Sequence, residues 1–362
     1  MADEMISRFA RLLAHYSIYA KKGETIGVEA TDEAAPLVEL VYEELLKAGA
    51  YPFVRMVPGG LTEILFREGK DHHFDKPPKA EFGYAKAVDG TIRIMSSPNT
   101  RALSAVEPKK QAQFARGRKG LRKILLAKKW ALTLFPTQAY AMDAEMSLSD
   151  FSDFVFKANF LDRADPVAAW NDLEKKHQKL IAKLRGADEV RIVGPDTDLR
   201  MSVKNRIFIS SVATHNIPSG EFFTGPVEDS AEGYIRYDFP VCEGGREIDG
   251  IRLVFRKGLV VEATAEKNEK YFLTMLDMDP GARRLGELGI GTNYGIQRFI
   301  KNILFDEKIG GTIHLALGES YEETRGRNKS ALHWDMIKDL RKDGAIYVDG
   351  KLFQKNGKFV GG

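Results

Sequence analysis

The sequence predicts two domains. An α/β N-terminal domain, with a parallel sheet in Rossmann-like layers, is expected over 1–186, and an α+β C-terminal domain rich in antiparallel strands over 187–362. Three observations carry this. At 362 residues the chain is long for a single core. Strand and helix patterns alternate with short connections in the first half, which favours a parallel sheet. Beyond Gly186, short β-branched runs separated by glycines and charged turns take over, which favours antiparallel pairing.

In order, Met5, Phe9, Leu12 and Leu13 stand at helical spacing over 5–16, and Gly23 breaks the chain. A short buried strand is expected over 25–29. Thr31 or Asp32 can cap the next helix, which carries Leu37, Val41 and Leu45 on one stripe and stops near Gly49. A strand over 51–57 completes a βαβ unit. The pattern returns with a strand over 91–95, a helix over 107–128 and a strand over 130–134 that Pro136 ends. Helices follow over 147–161 and 166–185. Strands are then expected over 190–193, 199–203, 207–212, 233–239, 248–255 and 259–266, with a helix over 267–277.

Composition excludes several function classes. Charged residues make up 29% of the chain, yet the net charge is only +3, so no strong field draws it to nucleic acid or an anionic membrane. The single cysteine, Cys242, excludes an intramolecular disulfide and a cysteine-rich zinc site, and it reads as structural. The acidic start is unlike a signal peptide, and no stretch has the length of a membrane span, so the cytoplasm is the expected compartment. No strand–helix turn carries Gly-x-Gly-x-x-Gly or a Walker-type Gly-Lys-Ser/Thr, and the glycines of 289–295 have the wrong spacing for either. The basic run 109–129 reads as the solvated face of an amphipathic helix, with Phe114, Leu121, Leu125 and Leu126 on its buried side. His15, His72, His73 and His177 are expected at the surface.

Three stretches of the second half carry chemistry. His314 lies in Thr-Ile-His-Leu-Ala-Leu, and His333 begins His-Trp-Asp335. In a strand, alternate side chains share a face, so His333 and Asp335 point together while Leu332, Trp334 and Met336 enter a core. Glu221 sits among turn formers in 216–226. Glu287 sits between Gly286 and Leu288, where an unpaired carboxylate is costly, so it needs Arg283, Arg284 or a metal as counter-ion. Three carboxylates and two imidazoles suit two divalent ions, whose four positive charges leave one for a bridging hydroxide. Tyr321, at the end of the loop after His314, offers a phenol donor.

Four motifs in order give the chain a wider resemblance. Asn-Ile-Pro-Ser-Gly-Glu221-Phe-Phe-Thr, Gly-Ala-Arg-Arg-Leu-Gly-Glu287, the run from Leu304 through His314 to Tyr321, and His333-Trp-Asp335 resemble the thermophilic aminopeptidases, peptidase family M29. The resemblance covers most of the chain and is strongest over 205–340. It implies a metalloprotease of the aminopeptidase class: a hydrolase acting on peptide substrates through two divalent metal ions (zinc, cobalt, manganese or magnesium) and an activated water. Carried over, it makes Glu221, Glu287, His314, His333 and Asp335 the metal ligands, with Glu287 bridging. It makes Tyr321 catalytic and leaves the general base to Glu221 or Glu287. Glu307 stands beside the site, outside the ligand set. The resemblance also implies a homodimer. Other dinuclear metallohydrolases, of amides or phosphoesters, and a non-enzymatic interaction protein are the competing readings.

Overall fold

The computed structural model describes residues 2–361, which fall into two compact units. The first holds the chain up to Asp172 together with Val212–Ser219; the second holds Leu173–Ser211 and the chain from Gly220 on. Composition marks the change at Gly186, but packing marks it earlier. Leu180 and Leu184, on the Pro166–Leu184 helix, are buried in the core of the second unit.

The first unit is built on a five-stranded, all-parallel sheet in the order Tyr51–Met56, Thr25–Ala30, Gly90–Met95, Lys129–Leu134, Asn216–Ile217. Parallel neighbours need crossovers. The Ala35–Lys47 helix supplies one, burying Leu37, Val38, Val41 and Leu45 at 3–4-residue spacing. The Pro108–Leu126 helix supplies another, but its buried side is narrower than the sequence predicts. Leu121 is its buried residue, Phe114 and Leu125 are half-buried, and Leu126 is exposed. Close backbone approach replaces side-chain burial there: a Cβ on Gly117 would stand 2.2 Å from the Phe74 carbonyl oxygen.

The second unit contains the predicted antiparallel strands. An eight-stranded sheet runs Leu259–Thr264, Arg252–Arg256, Glu232–Arg236, Thr197–Ser202, Glu189–Gly194, Ala345–Val348, Lys351–Lys355, Lys358–Phe359. The strand expected over 248–255 is two strands, Arg246–Ile248 and Arg252–Arg256, because Gly250 turns the chain with φ +65°. A five-stranded sheet runs His333–Asp339, Thr312–Gly318, Leu285–Gly291, Glu221–Thr224, Ile209–Ser211. One core joins the two sheets, with Ile192, Leu199, Leu253 and Phe255 from the first and Phe222, Leu288, Leu315 and Met336 from the second. Among the described residues no helix is long and apolar enough to cross a membrane.

Candidate metal centre

The Leu285–Gly291 and Thr312–Gly318 strands are buried along their whole length, so strand alternation decides what each face holds. Leu288, Ile290, Ile313, Leu315, Leu317, Trp334 and Met336 fill the core face. The other face carries His314, Ala316 and Gly318. In register beside them lie Ile337, Asp335 and His333. On the other side lie Gly289, opposite His314, and Glu287, opposite Ala316 just after a bulge. Glu221 opposes Gly291 one strand further out. All five expected ligands therefore project from one face, with glycine and alanine between them. A Cβ on Gly289 would lie 2.0 Å from His314 Cε1, so this glycine makes the room in which the imidazole lies.

The side chains meet at short range. His314 Nε2 is 3.3 Å from Glu221 Oε2 and 3.4 Å from Glu287 Oε1. His333 Nε2 is 3.5 Å from both Glu287 Oε2 and Asp335 Oδ2. Glu287 thus turns one oxygen to each imidazole. The two far nitrogens face carbonyls: His314 Nδ1 lies 3.1 Å from Glu307 O, and His333 Nδ1 lies 2.9 Å from Glu319 O. A carbonyl only accepts, so each Nδ1 carries a proton and each Nε2 turns its remaining site toward the carboxylates. This is how second hydrogen bonds orient metal-binding histidines. Among the described residues, three overlapping groups have ligand atoms all within 4.8 Å of one another: Glu221, Glu287 and His314; Glu287, His333 and Asp335; Glu307, His314 and Asp335.

The electrostatics asks for added positive charge. Burial pushes the Glu221 carboxyl up to about 7, against the pull of Lys308 and His314. Burial likewise takes Asp335 to about 6, with His333 opposing. Burial would lower His314, but its bond to Glu287 and the surrounding carboxylates lift it to about 10. Burial would raise Glu287, yet His314 and His333 outweigh it and hold that carboxyl below its ordinary value. With no other cation, protons must gather where a metal would sit. Glu221 Oε2 and Asp335 Oδ1 are buried and make no hydrogen bond. Oxygen and imidazole donors with unbonded oxygens fit a divalent ion.

Two further charged residues border the cluster, and the second of them was not expected from the sequence. Glu307, expected beside the site, offers an oxygen to one of the three groups. Lys308 is fully buried, its ammonium 2.7 Å from Glu221 Oε1 and also bonded to Glu307. Its charge offsets that of Glu307, so the count of three net negative charges stands. The signal lay in Phe-Asp-Glu-Lys-Ile, a charged triplet enclosed by apolar residues. Neither arginine serves as the partner of Glu287: Arg283 bonds Asp277, and Arg284 donates to the Glu228 carbonyl. Glu221, expected on a loop, opens a strand, because its backbone pairs with Ser211 and Gly291. Tyr321 stands half-exposed at the rim, its ring edge-on to that of His333 at 5.2 Å. His177 is not a surface residue but fully buried, bonded to Ser210 and Thr292 at 2.7 Å each.

Comparison with known proteins agrees with this architecture. Aminopeptidase 2 of Geobacillus stearothermophilus is 28% identical over 96% of this chain and 95% of its own. Aminopeptidase T of Thermus thermophilus is 28% identical over 95% of each. The solved structure of wild-type AmpT from Thermus thermophilus superposes with a TM-score of 0.86 at 25% identity, covering 98% of this chain and 99% of that one. The family model described as thermophilic metalloprotease (M29) matches residues 2–359, and the chain belongs to that family.

Proposed function

We propose that this protein is a metallo-aminopeptidase that releases N-terminal amino acids from peptides at a dinuclear divalent-metal centre in residues 187–362. Its ligands are Glu221, Glu287, His314, His333 and Asp335. The observation that carries the reading is Glu287, with one oxygen toward His314 and the other toward His333, the arrangement a bridging carboxylate needs. The names of the relatives support the exopeptidase class. Two divalent ions there would supply Lewis-acid polarisation of a scissile carbonyl and a water acidic enough to attack near neutral pH.

The chain's own groups do the rest. The Glu307 and Glu319 carbonyls hold the two imidazoles in their ligating tautomer. Lys308 holds Glu221 Oε1, leaving Oε2 to face the centre. One carboxylate, Glu221 or Glu287, takes the proton of the attacking water and returns it to the leaving amine. Tyr321, above His333 at the rim, donates a hydrogen bond to the oxyanion of the tetrahedral intermediate. The proposal includes a homodimer, as the family resemblance implies, and the cytoplasmic location expected from the sequence.

The test has two arms. Purified protein should contain two divalent ions by elemental analysis and cleave a leucyl peptide with a free amine but not its N-acetylated form. Glu287→Gln should lose turnover and one or both ions while keeping its circular dichroism. Full activity after rigorous chelation, or equal cleavage of the blocked peptide, would remove the reading.

A further inference from the structure

His177 lies on the reverse side of the sheet from the carboxylate–imidazole cluster, behind Glu221. Glu221 has two cross-strand partners, Ser211 and Gly291. The chain neighbours of those partners, Ser210 and Thr292, are the two residues that His177 bonds, one through each ring nitrogen, at 2.7 Å each. Ser210 opposes Phe222, the residue after Glu221, so alternation turns both to the reverse face. The imidazole stands edge-on to the Phe222 ring, with centroids 5.6 Å apart. One buried ring therefore joins the two segments that flank Glu221 and packs against the strand between them.

The clamp reaches the cluster through the backbone. The Thr292 amide donates to the Gly220 carbonyl at 2.8 Å, and the Gly220 amide donates to the Ser211 carbonyl at 3.1 Å. The residue before Glu221 is thus tied on both sides. The Asn293 amide donates to the Lys308 carbonyl at 3.0 Å. Thr292 and Asn293 together set the backbone of Glu221 and of the lysine that holds its Oε1. The clamp has no chemistry of its own. Ser210 stands between His177 and Glu174 and donates to that carboxylate, so the imidazole is not placed to take its proton. An apolar side chain would fill the same space with no polar atoms to satisfy. What the imidazole adds is a fixed separation between two hydroxyls.

Resting on the metal centre of the aminopeptidase reading, we infer that His177 is a positioning residue for that centre. It fixes the segments on either side of Glu221, and with them the aim of Glu221 Oε2 at His314 and the affinity for the ion that these two side chains would hold. His333 and Asp335 lie on the strand at the opposite edge of the sheet, outside its reach.

Metal-free full-length protein, titrated with Co²⁺ against a chromophoric chelator, tests this. His177→Leu should weaken one of two binding steps by about 10-fold, the lower end of what groups that orient ligands contribute, and shift the visible spectrum of bound Co²⁺. The other step should not move. His177→Gln, which keeps a donor and an acceptor, should recover most of the affinity. Thr292→Val removes one bond and should weaken the same step less; it carries the test if His177→Leu does not fold. Leu199→Ala opens a cavity in the other sheet of the same core, and should lower the urea midpoint with both steps unmoved. Affinities unmoved in His177→Leu and Thr292→Val, or weakened equally in Leu199→Ala, would overturn the clamp and leave the aminopeptidase reading standing. Wild-type protein that takes up no divalent ion would remove both. Two ions bound without cleavage of any unblocked peptide would remove the aminopeptidase reading alone.

Discussion

Lys308 shows how much of the candidate centre rests on one charge. Its stem is enclosed and its ammonium lies between Glu221 and Glu307, both also buried. Burial alone would lower the lysine, but the two carboxylates raise it above its ordinary value, so it stays charged. Removing one member of a buried ion pair leaves the other uncompensated, at a cost of about 3–5 kcal/mol. Lys308→Met should lower the unfolding free energy of metal-free protein by about that amount, measured by urea denaturation. Saturating metal should shrink the difference, because cations then supply the missing charge. An unchanged midpoint in metal-free protein would mean that the lysine does not balance these carboxylates.

The strand pair Leu285–Gly291 and Thr312–Gly318 positions the centre, and its register is the device. Gly289 opposes His314, and the imidazole occupies the space a side chain would fill. Gly289→Ala should leave the strands paired but push the ring away, reducing metal affinity by about 10–100-fold in a competition assay with a chromophoric chelator. Unaltered affinity would show that the ring tolerates displacement. At this scale much was legible in the sequence. Alternation placed His333 and Asp335 on one face and Trp334 and Met336 in the core, because period two is local. The resemblance supplied the five separated residues, which the sheet brings to one face. Register was not legible: nothing in Gly289-Ile-Gly says that it will lie opposite a histidine, since pairing is fixed by contacts distant in sequence. Lys308 escaped for the same reason, because its meaning depends on Glu221, 87 positions away.

For the second unit as a whole, His177 links the Pro166–Leu184 helix to the strand region behind Glu221. The Ser210 hydroxyl donates to Glu174 and so accepts from His177 Nδ1, leaving Nε2 to accept from the Thr292 hydroxyl. The imidazole is thus held neutral, and burial pushes it down to about 4, with Glu174 opposing. Sequence placed this residue at the surface because its helix is polar around it, and its two partners, one in the Ile209–Ser211 strand and one just past the Leu285–Gly291 strand, lie far along the chain. In the unfolded chain a histidine binds its proton near pH 6.5, so between about 6.5 and 4 the unfolded state holds more protons than the folded one. Stability is complete above pH 6.5 and falls as pH drops through that window, by about 3 kcal/mol in all. Other groups also titrate there, so the clean quantity is a difference. Gln can keep one donor and one acceptor without titrating, and His177→Gln should remove this component of the slope. The stability of wild type minus that of the variant, from urea unfolding at stepped pH, should shrink by about 2–3 kcal/mol from pH 7 to pH 4. A difference that stays flat across that range would mean that His177 accepts a proton in the folded protein as readily as in the unfolded one.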